Sequence, residues 1–213
     1  MPETVKMLLT LTIIAGLAGL GLAAMNRSTT PLIEENERQF TLRSINRVVP
    51  DAPAHDQDPC LKAEPGFDNT PNQDAVCVGG HRIYRARKGD EVVGLAVEAI
   101  GDQAYSGTIL NLVGITLDGV VTGVEVLRHA ETPGLGSLIT DCVWRKQFVG
   151  KGPKDMVWKV TKDGGDVDQL AGATISSRSM IDAILKAQQV VAEHKDEILS
   201  AEPAGEGEVC DAS

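Results

Sequence analysis

Between Met7 and Met25 the chain runs LLTLTIIAGLAGLGLAA without a charged residue, close to the roughly 20 apolar residues that carry a helix across a bilayer. This pattern predicts a transmembrane helix over residues 7–25, preceded by a short segment, 1–6. Leu22-Ala23-Ala24 is small enough for signal peptidase, but the apolar run exceeds the ~7–15 residues of a cleavable signal core, so a retained anchor is expected. After Thr30-Pro31 the run LIEENERQFTLRSINRVV has apolar residues at helical spacing and stops at Val49-Pro50. Residues 26–50 are therefore expected to form a helical connector. Residues 51–80 collect Pro, Asp, Asn and Gly with almost no periodic apolar signal and read as an irregular loop. Four β segments follow, Arg82–Arg87, Glu91–Ile100, Thr108–Thr116 and Val120–Leu127, separated by Gly89-Asp90, a loop containing Gly101-Asp102, and Asp118-Gly119. Connections this short imply an antiparallel meander. Leu135–Gln147 and Ser177–Ile198 read as helices with a strand near Met156–Thr161 between them. The domain is placed at 81–198 and a flexible acidic tail at 199–213. The fold class is α+β: one transmembrane helix, then an antiparallel β meander with packed helices.

Composition narrows the function. The 213 residues carry a formal net charge of -10 and only 3% aromatic residues. Such a chain repels a phosphate backbone and lacks the rings that stack on single strands, so nucleic acid is excluded as a partner. Cys60, Cys77, Cys142 and Cys210 include no CxxC pair, which argues against a zinc ribbon, a dithiol redox motif or an attached haem, and no metal site is expected. Cys60 and Cys77 bracket the polar loop and suit a disulfide if the domain lies in an oxidising compartment, while Cys142 reads as a plain buried residue. Arg27, Arg38, Arg43 and Arg47 follow the anchor, and a literal positive-inside count would keep the domain in the cytoplasm. Those arginines are interleaved with Glu34, Glu35 and Glu37, and large domains translocate despite such charge, so charge leaves the side open.

Two segments carry candidate chemistry. The first, His129-Ala130-Glu131-Thr132-Pro133-Gly134-Leu135-Gly136, lies where the fourth strand ends. Its proline and glycines permit a tight turn and let a flat ligand approach the main chain without a β-carbon in the way. A plain strand-to-helix turn has the same composition. The second, Asp168-Gln169-Leu170-Ala171-Gly172-Ala173-Thr174-Ile175-Ser176-Ser177, leads into the last long helix. Unpaired NH groups and the helix dipole make that entry a seat for phosphate, with Ser176 and Ser177 adding hydroxyls. Helix capping uses the same residue types. No catalytic residue is assigned: a hydrolase built on Ser176 or Ser177 with His129 lacks the G-x-S-x-G elbow.

Taken together, H-x-ETPGLG and a D-x-x-[ST]-G-A-T-[IVL]-[ST] pattern following an anchor and a β meander resemble the covalent FMN-binding domain family. That family includes the G subunit of the Rnf ion-translocating electron-transport complex and the C subunit of the sodium-pumping NADH:quinone reductase. The resemblance spans about residues 7–195 and favours the Rnf G subunit. It implies one FMN per chain, esterified through its phosphate to Thr174 by a flavin transferase that recognises Asp168, Gly172, Ala173 and Thr174. Ala171 departs from the pattern, which has Ser or Thr there. Glu131, Thr132, Gly134, Leu135, Gly136, Gly172, Ala173, Ser176 and Ser177 become the expected cofactor-binding residues. The resemblance further implies an electron-transfer subunit of an oxidoreductase that couples ferredoxin:NAD electron transfer to sodium-ion or proton translocation, without a catalytic site of its own. Its partners would be the other membrane and peripheral subunits and, through residues 7–25, the bilayer. It would sit in the bacterial inner membrane, single-pass, with the flavin domain on the periplasmic or outer face. The C subunit of the quinone reductase and an unmodified structural scaffold are the alternatives.

Overall fold

The computed structural model describes residues 2–49, 74–88, 91–204 and 210. The chain divides into two compact units, Met1–Leu42 and Arg43–Ser213.

Helix α1 spans Glu3–Val48 and contains Pro31. The separate helix start read at Thr30-Pro31 is absent: the helix is continuous through Pro31. Proline at this position removes one backbone donor, while Ser28, Thr29 and Thr30 bond back to the carbonyls of Ala24, Met25 and Asn26, and the helix runs on. Its apolar residues from Met7 to Leu22 are exposed, and among the described residues it is the helix long and apolar enough to cross a membrane.

The second unit is built on a five-stranded antiparallel sheet of consecutive strands, β1 (Asp74–Val78), β2 (His81–Lys88), β3 (Glu91–Ala104), β4 (Gly107–Ile115) and β5 (Val121–Arg128). β1 lies within the stretch read as loop; at five residues it gives too short an alternation to register against its polar surroundings. Gly79 and Gly80 supply the positive φ of the β1–β2 hairpin. β3 does not end at Gly101-Asp102 as expected. It shifts register there, continues to Ala104, and turns through Tyr105-Ser106.

Alternate residues of the sheet, Leu95, Val97 and Ala99 on β3 with Ile109, Val113 and Ile115 on β4, form one apolar face. Helix α3 (Thr174–Ser200) buries Met180, Ile184, Ala187 and Val191 against it at helical spacing. Each fully buried side chain of this size contributes about 1.5–3 kcal/mol, so this face, rather than surface ion pairs, fixes the helix. Its far end is held by Arg85 on β2, only 2% exposed. Arg85 Nη1 donates to the carbonyls of Ile198 at 2.9 Å and Ala201 at 3.0 Å, oxygens that a helix terminus leaves unpaired. Asp74 pairs with both Arg85 and Arg87. Burial alone would raise the Asp74 carboxyl, but hydrogen bonds from the two arginines outweigh it and hold the group below the usual carboxylate range.

Between β5 and α3 the expected helix 135–147 is broken into a 3-10 turn, Gly136–Thr140, a short helix α2, Cys142–Arg145, and a second 3-10 turn, Lys146–Phe148. Asp141 interrupts it by turning extended and accepting from Val143 N at 2.9 Å. The strand expected near Met156–Thr161 is reduced to a parallel bridge between Val160 and Val167.

The expected Cys60–Cys77 pairing is overturned: Cys77 is bonded to Cys210. Ala204 N donates to Ala75 O on edge strand β1, the strand that also carries Cys77. Cys60 lies outside the described residues. Cys142 is half-buried and disulfide-bonded rather than a plain buried thiol.

The Cys77–Cys210 bond closes a loop of 133 residues, so the double variant Cys77→Ser/Cys210→Ser is expected to lose about 2–5 kcal/mol of stability. Urea denaturation followed by circular dichroism measures it, and an unchanged midpoint would count against a stabilising role.

Candidate functional site

The two loops singled out in the sequence meet at the N-terminus of α3. Their junction is Glu131, a carboxylate only 5% exposed. Its Oε1 accepts from Ser106 N at 3.0 Å and its Oε2 from Ser176 Oγ at 2.5 Å. A buried carboxylate is costly unless hydrogen-bonded, and these donors come from the β3–β4 turn and from α3. Glu131 therefore ties three segments together instead of facing a ligand. Its own NH donates to His129 Nδ1 at 3.2 Å.

Gly136 is where the first loop passes this junction. A Cβ there would lie 2.3 Å from Glu131 Oε2 and 2.7 Å from Ser176 Oγ, so only glycine fits. In the same loop, Ser137 Oγ accepts from Gly134 N, and the NH groups of Leu135 and Ser137 both donate to Thr132 O. This leaves Thr132, Pro133, Gly134 and Leu135 exposed. The second contact between the loops is at Gly172, with φ +74°, whose added Cβ would meet Leu135 Cδ2 at 3.3 Å.

The second loop is fixed residue by residue. Asp168 donates its NH to Gln147 Oε1 at 2.8 Å, and its carbonyl accepts from Trp144 Nε1 at 2.7 Å. Gln169 Oε1 accepts from Thr161 Oγ1 at 2.7 Å and from Lys162 N at 3.2 Å. Leu170 N donates to Ser177 Oγ, which itself donates to Ala173 O, both at 3.0 Å. The side chain of Asp168 remains exposed.

At the helix start, Ala173 is buried and supplies no side-chain cap. The NH groups of the first turn, from Thr174 through Ser176, are those an α-helix leaves without an internal partner, and the dipole gives them positive character. Thr174 is half-buried, and its hydroxyl has no hydrogen-bond partner among the described residues. Ser176 and Ser177 differ from expectation: both are buried, and their hydroxyls are committed to Glu131 and to the loop backbone. In this arrangement both hydroxyls are directed into the fold. One turn on, Arg178 pairs with Asp163 at 2.7 and 2.8 Å, and that hydrogen bond holds the Asp163 carboxyl below its usual range.

Exposed apolar side chains occur in both segments: Leu135 and Leu138 in and just after the first loop, and Ile175 in the first turn of α3. Tyr105, 70% exposed at the β3–β4 turn, follows Ala104 and precedes Ser106, the donor to Glu131. The sequence reading missed Tyr105, Ser106, Trp144 and Gln147. Ser106 and Gln147 leave no trace in local patterning because they act through main-chain partners distant in sequence. A tyrosine in a hairpin turn and a tryptophan in a chain with two were the available signals.

The FMN-binding domain family matches residues 104–189, a range that begins at the β3–β4 turn and includes both loops. The chain is similar to the G subunit of the ion-translocating oxidoreductase complex of Erwinia tasmaniensis, 38% identical over 170 residues covering 76% of this chain and 77% of that protein. It is 37% identical over 171 residues to the protein of the same name from Shewanella baltica, with 78% of each chain covered. Among solved structures it is similar to NqrC of Shewanella oneidensis, with TM-score 0.46 and 24% identity over 57% of this chain and 62% of that one.

Gly136→Ala forces a methyl into the Glu131–Ser176 contact and is expected to cost about 1–3 kcal/mol through overpacking. Thermal unfolding against the unaltered protein checks this, and an unchanged melting temperature would contradict the packing described at this junction.

Proposed function

The chain belongs to the family of G subunits of ion-translocating oxidoreductase complexes, and on that premise we propose that it is a membrane-anchored electron carrier holding one FMN covalently through Thr174. The observation that carries the proposal is the meeting of the two loops at an uncapped helix start, where the Thr174 hydroxyl has no hydrogen-bond partner among the described residues. The residues present fit the group. Main-chain NH groups from Thr174 to Ser176 would hold the phosphate, and the exposed turn Thr132–Leu135 together with Ile175 would border the ring system. Bound there, FMN supplies one- and two-electron redox chemistry. Glu131 and Gly136 keep the two loops in contact, and Gly172, at positive φ, brings the second loop against Leu135.

Attachment requires an activated donor, because direct condensation with free phosphate is unfavourable in water. Transfer from a flavin dinucleotide would bond Thr174 Oγ1 to the flavin-side phosphorus as the phosphoanhydride breaks and AMP leaves with the bridging oxygen. The threonine proton passes to a base of the transferase, and no redox change occurs. Asp168, with its carboxylate exposed and its main chain fixed, is the recognition residue in this reading, with Gly172 and Ala173 beside the acceptor.

The complex would be of the Rnf type, coupling ferredoxin:NAD electron transfer to movement of sodium ions or protons, with the remaining redox centres on other subunits. The flavin domain is assigned to the periplasmic or outer face of the inner membrane. The Cys77–Cys210 disulfide supports that side, because such bonds persist in oxidising compartments. This weighs against the literal arginine count.

The full chain, made alongside a flavin transferase and exported, is expected to gain the mass of FMN less one water on the peptide containing Thr174 and to fluoresce on a denaturing gel. Thr174→Ala should fold and lose both signals; gel-stable flavin in that variant would defeat the assignment. In Asp168→Ala the yield of modified chain should fall sharply at unchanged thermal stability, and normal modification would remove Asp168 from the signal. An unmodified wild-type chain under these conditions would favour the scaffold reading.

A further inference from the structure

We propose that Trp144 and Gln147 are positioning residues for the modification of Thr174, holding the recognition segment in the shape the transferase reads before the two proteins meet. This rests on the covalent reading above. The two side chains come from α2 and the turn after it, more than twenty residues before Asp168 in sequence, and together they satisfy both main-chain groups of Asp168. Trp144 Nε1 and Gln147 Nε2 donate to its carbonyl, and Gln147 Oε1 accepts from its NH. The Asp168 backbone is thus paired as a strand residue would be, although the segment belongs to no sheet.

The clamp is itself anchored. The Trp144 ring packs edge-on against Phe148 with centroids 5.4 Å apart, and Phe148 stacks on Trp158 at 6.2 Å. Phe148 is fully buried. Downstream, Gln169 and Leu170 are each held by hydrogen bonds of their own, so three consecutive residues are fixed while the Asp168 carboxylate, Ala171 and Gly172 remain exposed. An irregular segment ordered in advance spares its partner the conformational entropy of ordering it, and the apparent affinity rises accordingly. Ala171 contributes no hydroxyl where the pattern has Ser or Thr, so recognition in this chain leans more on the shape of the segment.

The test uses the full chain in detergent, a purified flavin transferase and a flavin dinucleotide, comparing wild type with Trp144→Phe and Gln147→Met. Phenylalanine keeps an aromatic ring against Phe148 and removes the N–H; methionine keeps the length of Gln147 and removes both polar atoms. Each variant is expected to raise the KM of the transferase for the domain by about tenfold while kcat stays within about twofold, the signature of lost binding and not of lost chemistry. Melting temperature is read alongside, because a purely structural role would move stability and leave KM for the folded fraction unchanged. Should Trp144→Phe fail to fold, Gln147→Met decides alone, since the ring contacts join Trp144, Phe148 and Trp158 and not Gln147. Normal wild-type uptake with unaltered KM in the variants that fold overturns the inference only. A wild-type chain that takes up no flavin removes the covalent reading and this inference together.

Discussion

Everything that identifies the site depends on one buried hydrogen bond, from Ser176 Oγ to Glu131 Oε2. Its main effect is the penalty avoided. A carboxylate removed from water at this depth would be destabilising by several kcal/mol if left bare. With Ser106 N on one oxygen and Ser176 Oγ on the other, both acceptors are engaged. Chain entropy would otherwise keep apart three segments that meet here, the β3–β4 turn, the loop after β5 and the start of α3. Gly136 belongs to the same contact, because no larger residue leaves room for the pair.

That junction can be exacting because the rest of α3 is already fixed. Its middle is seated by apolar packing on the sheet, and its end by Arg85, which closes the final carbonyls from a neighbouring strand. A helix held along its length presents its first turn at a defined place. The meander supplies the platform: consecutive strands pair in order with short turns, so little loop-closure entropy opposes its assembly. Ala204 N then donates to Ala75 O on edge strand β1, and Cys210 is bonded to Cys77 on the same strand.

The four longer strands and the last helix were legible in the sequence because their apolar periodicity is sustained and their turns carry glycine. β1 was not, since five residues in a polar neighbourhood give no periodic signal. The region 135–147 misled because a run of helical composition does not reveal that Asp141 caps a new turn within it. Pro31 pointed to a boundary that the helix does not observe. The two loops were found from their residue types, and their contact follows from the structure. What sequence could not disclose was direction: Ser176 and Ser177 have the composition of a phosphate seat, yet their hydroxyls face inward. Pairing of cysteines was equally hidden, because sequence proximity favoured Cys60 for Cys77 while the fold brings Cys210 to it.

The inward turn of the two serines changes how an anion at this helix would be held. A hydroxyl can rotate to donate or accept, whereas the NH groups of a first helical turn are fixed in direction and only donate. With Ser176 spent on Glu131 and Ser177 on the loop, what remains accessible at this helix start is the half-buried Thr174, whose hydroxyl has no hydrogen-bond partner among the described residues. Glu131 lies beside the start of the helix, and its two hydrogen bonds, from Ser106 N and Ser176 Oγ, hold it in the interior. The same residue that locks the loops together thus also fixes the start of the helix, where, in the proposed reading, Thr174 would carry the covalent bond.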